Sequence, residues 1–347
     1  MVRRVLLTGG GGFIGSHIAG QLLAHGVEVV VLDVRRGNAP VDAELVVGDV
    51  RDPEAFGAAL AGVDAVCHQA AKVGLGVDLL DIADYASTNG LGTAVLLREL
   101  ARERFRGRVV LASSMVVYGE GRYACPRHGT VHASPRAEAD LAAGRFEPFC
   151  HCGVPLRPQA VPESAPTDPR NVYAATKLHQ EHLATAFSRE TGVAVTALRY
   201  HNVYGPRMPR DTPYAGVAAL FADALANGRA PRVLEDGGQL RDFVHVRDVA
   251  RANVLALMRP EPAPGAFNVA SGTPRTILDL ATSLHAAFPA APAPEVTGAY
   301  RLGDVRHVFA SPQRAAEQLG LRAVEPFEAG LAEFAAAAAA TTPARIG

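Results

Sequence analysis

The chain has 347 residues, 48% of them hydrophobic, enough to bury a full core as one large or two modest domains. A formal net charge of −1 gives no overall field toward nucleic acid or an anionic membrane, and no apolar run approaches the roughly 20 residues that span a bilayer. Four cysteines in a chain this long make no disulfide framework. The N-terminal arginines are followed by no small-residue cleavage site, so a cytoplasmic protein is expected.

Val5–Leu7 is a short apolar run leading into Gly9–Gly12, and Ile14–Ala24 has helical spacing. Val29–Leu32 reads as a second strand, ending at Asp33. Leu45–Val47, Ala65–His68 and Val109–Ala112 are further apolar runs, with a helix-like stretch from Thr93 to Glu103 between the last two. Continuous apolar strands separated by helices predict a parallel sheet covered on both faces. Right-handed crossovers make such a sheet doubly wound. A helix follows Tyr173, and Val195–Arg199 is the next strand. Beyond Gly205 the alternation becomes irregular and rich in proline, which suits a smaller substrate-covering lobe. Ala335–Ala340 reads as a helix end and Thr341–Gly347 as a frayed tail. The expectation is an α/β fold with a dinucleotide-binding domain over 1–200, a cysteine-bearing excursion at about 120–160, a lobe over 201–340 and a tail over 341–347.

Gly9, Gly12 and Gly15 follow the first strand and open the first helix in the spacing G-x-x-G-x-x-G. Such a turn needs unusual dihedrals, close backbone approach to a pyrophosphate, and tight packing of helix on strand. The helix N-terminus offers free N–H groups and a positive dipole end to phosphate. Asp33 stands where a carboxylate accepts hydrogen bonds from the adenosine ribose, which favours NAD over NADP; Arg35 and Arg36 nearby soften that preference. A plain turn is the alternative for Asp33. For Asp49-Val50, after the third strand, an adenine contact and a simple turn stand side by side.

Tyr173 and Lys177 are four apart at the start of a helix and share a face. A tyrosine whose ordinary pKa is about 10 can serve as a base near neutral pH when an ammonium and a cationic nicotinamide favour the phenolate. Lys177 can also hold the nicotinamide ribose. Ser114 closes a strand at its carboxyl end, where ligands of such sheets bind, and can hydrogen-bond a reacting hydroxyl and pass its proton toward Tyr173.

Together the glycine loop, Ser114-x-x-x-Tyr118-Gly119, Tyr173-x-x-x-Lys177, Arg199-Tyr200-His201-Asn202-Val203-Tyr204-Gly205-Pro206 and Arg241-Asp242-Phe243-Val244-His245-Val246-Arg247-Asp248-Val249 resemble the extended short-chain dehydrogenase/reductase superfamily. More narrowly, they resemble its nucleotide-sugar epimerase and dehydratase group. The resemblance implies a Rossmann fold with tightly held NAD, contacted by Gly9, Gly12, Phe13, Ile14, Gly15, Asp33, Asp49, Val50, Ala70, Ala71, Asn89, Tyr173, Lys177 and Tyr200. It further implies a nucleotide-diphosphate sugar held by Ser114, Met115, Tyr173, Asn202, Arg241 and Arg301, the guanidinium fork matching phosphate oxygens. A homodimer through a four-helix bundle that includes the Tyr173 helix is implied as well.

Dehydratases of this group carry Asp-Glu directly after the catalytic Ser or Thr; this chain has Met115-Val116, which move no proton. The reaction implied is transient oxidation to a 4-keto sugar, rotation about the diphosphate link and return of hydride to the other face, with NAD regenerated each cycle. Val73-Gly74-Leu75-Gly76, the stretch from Tyr85 to Thr93, and Tyr300-Arg301-Leu302-Gly303-Asp304-Val305-Arg306-His307 resemble the dTDP-L-rhamnose 4-epimerases, which make dTDP-6-deoxy-L-talose. UDP-hexose or UDP-glucuronate 4-epimerases, a keto-sugar reductase and a non-catalytic dinucleotide sensor are the alternatives. His201 stands where the group usually has Phe.

Ser114 and Tyr173 lie 59 positions apart, longer than in related epimerases, and three of the four cysteines fall between them. Cys125-x-x-His128 and Cys150-x-Cys152 offer four soft ligands in two clusters, a candidate tetrahedral structural zinc. His132 or His151 can stand in for a ligand, and a few reduced thiols in a loop are the alternative. Cys67, on a core strand, reads as a small hydrophobe.

Overall fold

The computed structural model describes residues 2–74, 79–210 and 215–340. Leu75 and Gly76 of one expected substrate motif, and the tail from 341 to 347, lie outside the described residues.

Seven strands form one parallel sheet: β1 (Arg4–Thr8), β2 (Glu28–Asp33), β3 (Glu44–Val47), β4 (Ala65–His68), β5 (Arg108–Ser114), β6 (Ala194–Tyr200) and β7 (Gly265–Val269). Their spatial order is β3-β2-β1-β4-β5-β6-β7, so the winding direction reverses between β1 and β4. Alternate side chains of a strand point to opposite faces, and here both sets are apolar. Val5, Leu7, Val29, Val31, Ala65 and Val110 face the helices Phe13–Ala24 and Val246–Met258. Leu6, Val30, Leu32, Val66, Val109 and Leu111 face the helix Gly92–Arg102 and part of Val172–Thr191. Double burial explains why these strands read as unbroken apolar runs. Cys67 is fully buried in β4, its thiol 3.4 Å from Asn253 Oδ1.

The smaller region packs the helices Val217–Ala226, Ile277–His285 and Phe327–Ala340 around Phe221, Leu225, Leu280, Leu284, Leu331 and Phe334. A division at residue 200 was expected. The chain beyond it serves both regions instead: the Val246–Met258 helix and β7 return to the parallel sheet. The excursion after Ser114 forms a small antiparallel sheet of Gly129–Val131, Arg122–Cys125 and Arg157–Gln159. Among the described residues no helix is long and apolar enough to cross a membrane.

Candidate active site

The loop after β1 lies at the carboxyl edge of the sheet, at the reversal point where ligands of such sheets bind. Gly9 has φ +71°, and a Cβ there would sit 2.7 Å from the Ala70 nitrogen. At Gly15 a Cβ would meet the Gly9 carbonyl oxygen at 2.2 Å, so loop and helix touch backbone to backbone. No side chain caps the helix that begins at Phe13, which leaves its first N–H groups for an outside acceptor. Phe13 and Ile14, both half-buried, form the first turn. This cradle fits a dinucleotide pyrophosphate.

Asp33 ends β2 and accepts a hydrogen bond from the Gly11 nitrogen at 3.0 Å, which ties the acid to the glycine loop. Asp49 is drawn into a turn: its carboxylate pairs with Arg51 at 2.6 Å, and that contact holds it below the usual carboxylate range. Val50 beside it is buried against Gly92. Ala70 donates from its nitrogen to Thr8 Oγ1 at 3.1 Å, and Ala71 is half-buried next to it. Asn89 is completely buried; it accepts from the Lys72 nitrogen at 2.8 Å and donates to the Lys72 carbonyl and Thr176 Oγ1, both at 3.0 Å. It therefore clamps the loop after β4 onto the Tyr173 helix. Tyr200 bonds Gln69 and Asn253 through its hydroxyl, each at 3.0 Å.

Ser114 ends β5, and Tyr173 stands in the first turn of the Val172–Thr191 helix, whose start is fixed by Asn171 accepting from the Ala174 nitrogen at 2.9 Å. The Ser114 hydroxyl faces the phenol and favours its ionised form. Burial of the phenol raises its pKa above the ordinary value, the Ser114 hydroxyl opposes that rise, and Tyr85, with its ring 6.1 Å away, adds to it. Lys177, one turn on, donates to the Ala112 carbonyl at 3.0 Å and places its ammonium 6.0 Å from the Tyr173 ring centre. Burial brings Lys177 down to about 8, with Glu181 opposing. The sequence predicted a phenol made acidic by Lys177 together with a cationic nicotinamide. In the chain alone burial dominates the phenol, and Lys177 spends a hydrogen bond on the backbone.

Behind these residues lies a buried network that the sequence reading did not single out. Arg199 meets Glu181 through Nε at 2.9 Å and Nη2 at 2.7 Å, and Ser113 donates to the same carboxylate. Arg199 also reaches the Tyr118 hydroxyl at 2.9 Å, and that hydroxyl donates to Asn268 at 2.7 Å. The signal was the repeat of four: Tyr173, Lys177 and Glu181 share one helix face.

Of the substrate candidates, Met115 is half-buried beside Ser114, and Asn202 carries a buried Oδ1 that no described residue hydrogen-bonds. Arg241 donates to the carbonyls of Leu240, Val305 and Arg306 at 2.7–2.8 Å, and burial of the guanidinium lowers its pKa. It braces the segment that carries Arg301, whose own side chain is exposed. His201 is buried and pushed down to about 3, with Asn268 opposing, so a neutral ring occupies the position. In the excursion the structure gathers Cys125, His128, Cys150 and Cys152. His132 stands apart, paired with Asp168 at 3.2 Å, and His151 stacks on the His128 ring at 4.3 Å.

Comparison with known proteins agrees with this geometry. The chain matches the NAD dependent epimerase/dehydratase family over residues 5–140 and 152–270. It is 35% identical to the dTDP-L-rhamnose 4-epimerase of Burkholderia thailandensis over 345 residues, covering 96% of this chain and 94% of that protein. It is 28% identical to the UDP-glucose 4-epimerase of Corynebacterium glutamicum, covering 91% and 90%. The solved UDP-glucose 4-epimerase of Thermus thermophilus in complex with NAD superposes with a TM-score of 0.77 at 30% identity, covering 98% of this chain and 100% of that one. That of Thermotoga maritima with UDP-glucose gives 0.79 at 28%, covering 96% and 98%. The chain belongs to the NAD dependent epimerase/dehydratase family and is an NAD-dependent epimerase within it.

Proposed function

We propose that the protein is a nucleotide-sugar 4-epimerase that interconverts dTDP-L-rhamnose and dTDP-6-deoxy-L-talose. The observation that carries the substrate is the 35% identity to the Burkholderia thailandensis enzyme, which runs along 96% of this chain. Met115-Val116 after Ser114 supports epimerisation over dehydration, because neither side chain moves a proton.

The loop at Gly9, Gly12 and Gly15, with Asp33 toward the ribose, would hold NAD, which would supply reversible hydride exchange and a positive charge beside the Tyr173 phenol. Ser114 orients the 4-hydroxyl and passes its proton toward Tyr173, whose ionised form it favours. Lys177 fixes the floor of the site through Ala112 and adds positive charge beside Tyr173. Asn202 offers its open Oδ1 to the substrate. Arg241 and Arg301, on joined segments, hold the diphosphate while the sugar turns. A second copy of the chain is the partner we infer for the Tyr173 helix, near which Leu79, Leu80, Ile82 and Leu91 are exposed.

The test is incubation of the purified protein, without added nicotinamide, with dTDP-L-rhamnose, UDP-glucose, UDP-galactose and UDP-glucuronate, the configuration at C4 being read by NMR. Conversion of the dTDP-sugar alone is the expected result. Turnover of only a UDP-sugar overturns the substrate, and NADPH consumed in step with product overturns epimerisation.

A further inference from the structure

The excursion between β5 and the Tyr173 helix has a core too small to hold it. Its buried cluster is Tyr123, Cys125, Ala133, Cys150 and Leu156, and two of those five are cysteines. The family match skips residues 141–151, the segment that carries Cys150. We propose that Cys125, His128, Cys150 and Cys152 bind one structural zinc ion, which staples this excursion against the substrate-covering region.

The ligand atoms converge. Cys125 Sγ is 3.5 Å from His128 Nδ1 and 3.7 Å from Cys152 Sγ, and His128 Nδ1 is 3.3 Å from Cys150 Sγ. All four atoms lie within 4.8 Å of one another. A tetrahedral zinc with bonds of about 2.3 Å to sulfur and about 2.0 Å to nitrogen sets its ligand atoms roughly 3.5–3.8 Å apart, and the three contacts above, at 3.3–3.7 Å, lie close to that spacing. A disulfide would bring two sulfurs to about 2.05 Å, and all four cysteines are free.

Each ligand pair occupies a tight turn. Cys125 and Gly129 face each other across the hairpin of Arg122–Cys125 and Gly129–Val131, and the Arg127 nitrogen points at Cys125 Sγ at 3.4 Å. In the second turn the Gly153 nitrogen donates to the Cys150 carbonyl at 2.8 Å and the Cys150 nitrogen to Val154 at 2.9 Å. Gly129 and Gly153, each one residue past a ligand, have φ of +68° and +77°, so both turns close through the left-handed region. His151 stacks on His128 and orients its ring. Three thiolates and one imidazole leave no position for water, and their softness selects zinc over magnesium or calcium.

The staple has something to hold. Arg136 pairs with Glu235 at 2.8 Å and donates to the Asp304 carbonyl at 2.7 Å. Glu147 receives Arg306 at 2.7 and 2.8 Å and meets His307 at 2.9 Å. These contacts join the excursion to the stretch that Arg241 braces.

The experiment is metal analysis of the full-length protein, with affinity tag removed, by inductively coupled plasma mass spectrometry, followed by cobalt substitution and trypsin digestion. Zinc near one equivalent per chain is expected, together with the thiolate-to-metal absorption and tetrahedral visible bands of the cobalt form. Cys152→Ser should lose most of the zinc while retaining NAD, and chelator-stripped wild type should be cut at Arg127 or Arg145 many-fold faster. Should Cys152→Ser fail to fold, the cobalt spectrum of the wild type decides. Absence of stoichiometric zinc after reconstitution, iron in its place, a Cys125–Cys152 disulfide, or unchanged digestion on stripping overturns the proposal.

Discussion

Replacing Glu181 by Gln tests the buried network behind the catalytic residues. Glu181 and Arg199 side chains are only 8% and 7% exposed, and their contact is bidentate. Glutamine keeps the shape but turns an N–H group toward the guanidinium and leaves its charge without a counter-ion. Removing one partner of a buried pair costs about 3–5 kcal/mol. The lower end applies here, because Arg199 keeps the Tyr118 hydroxyl at 2.9 Å and the Glu163 carbonyl at 3.2 Å. With the unfolding entropy typical of globular chains, that cost lowers the Tm of 347 residues by roughly 4 °C. Calorimetry measures it. The same change removes the one carboxylate that opposes the burial of Lys177, so its titration moves further below about 8. Activity that depends on the ammonium should then fall away at lower pH than in the wild type. Pairing Glu181→Leu with Arg199→Met should restore much of the stability, since a packed apolar pair carries no desolvation cost. A Glu181→Gln variant that melts within about 1 °C of wild type, with an unmoved pH profile, refutes the reasoning.

Tyr173→Phe should lower kcat by about 10²–10⁴-fold while NAD stays bound and the Tm holds, and turnover at the wild-type rate would remove Tyr173 from the chemistry. Gly15→Ala forces a methyl into the Gly9 carbonyl at 2.2 Å; it should cost about 1–3 kcal/mol and strip NAD during gel filtration, read by the absorbance of the eluted protein. His68 and His201 are buried and each pushed down to about 3, so the unfolded chain binds more protons than the native one between that value and about 6.5. Stability should be full above pH about 6.5 and fall as the solution is acidified, by up to about 2.7 kcal/mol per pH unit from the two together, which denaturant titrations at several pH values would reveal. His68→Gln should flatten that slope.

The parallel sheet was legible because strands buried on both faces show as unbroken apolar runs: Ala65–His68 was expected with the bounds it has, and five others within two residues at either end. The glycine loop was legible for a steric reason, since Gly9 and Gly15 sit where a methyl has no room. β7 was not. Its five residues, Gly265–Val269, include the buried Asn268 and sit in an irregular, proline-rich stretch, so nothing in their local pattern marks a sheet strand. The Glu181–Arg199 pair was hidden because its partners belong to a helix and a strand that meet only in the folded chain. Nor could local pattern tell that Asn89 spends both ends of its amide inside the protein, since that depends on Lys72 and Thr176 arriving together.

The return of the chain to the sheet through β7 has a mechanical consequence. The smaller region is built from stretches on both sides of Val246–Met258 and β7, so the chain leaves the sheet for it, returns and leaves again. A region tied in by several crossings has no single hinge. Relative movement of the two regions must therefore bend more than one connection at once, which favours small adjustments of short rim loops over a wide swing.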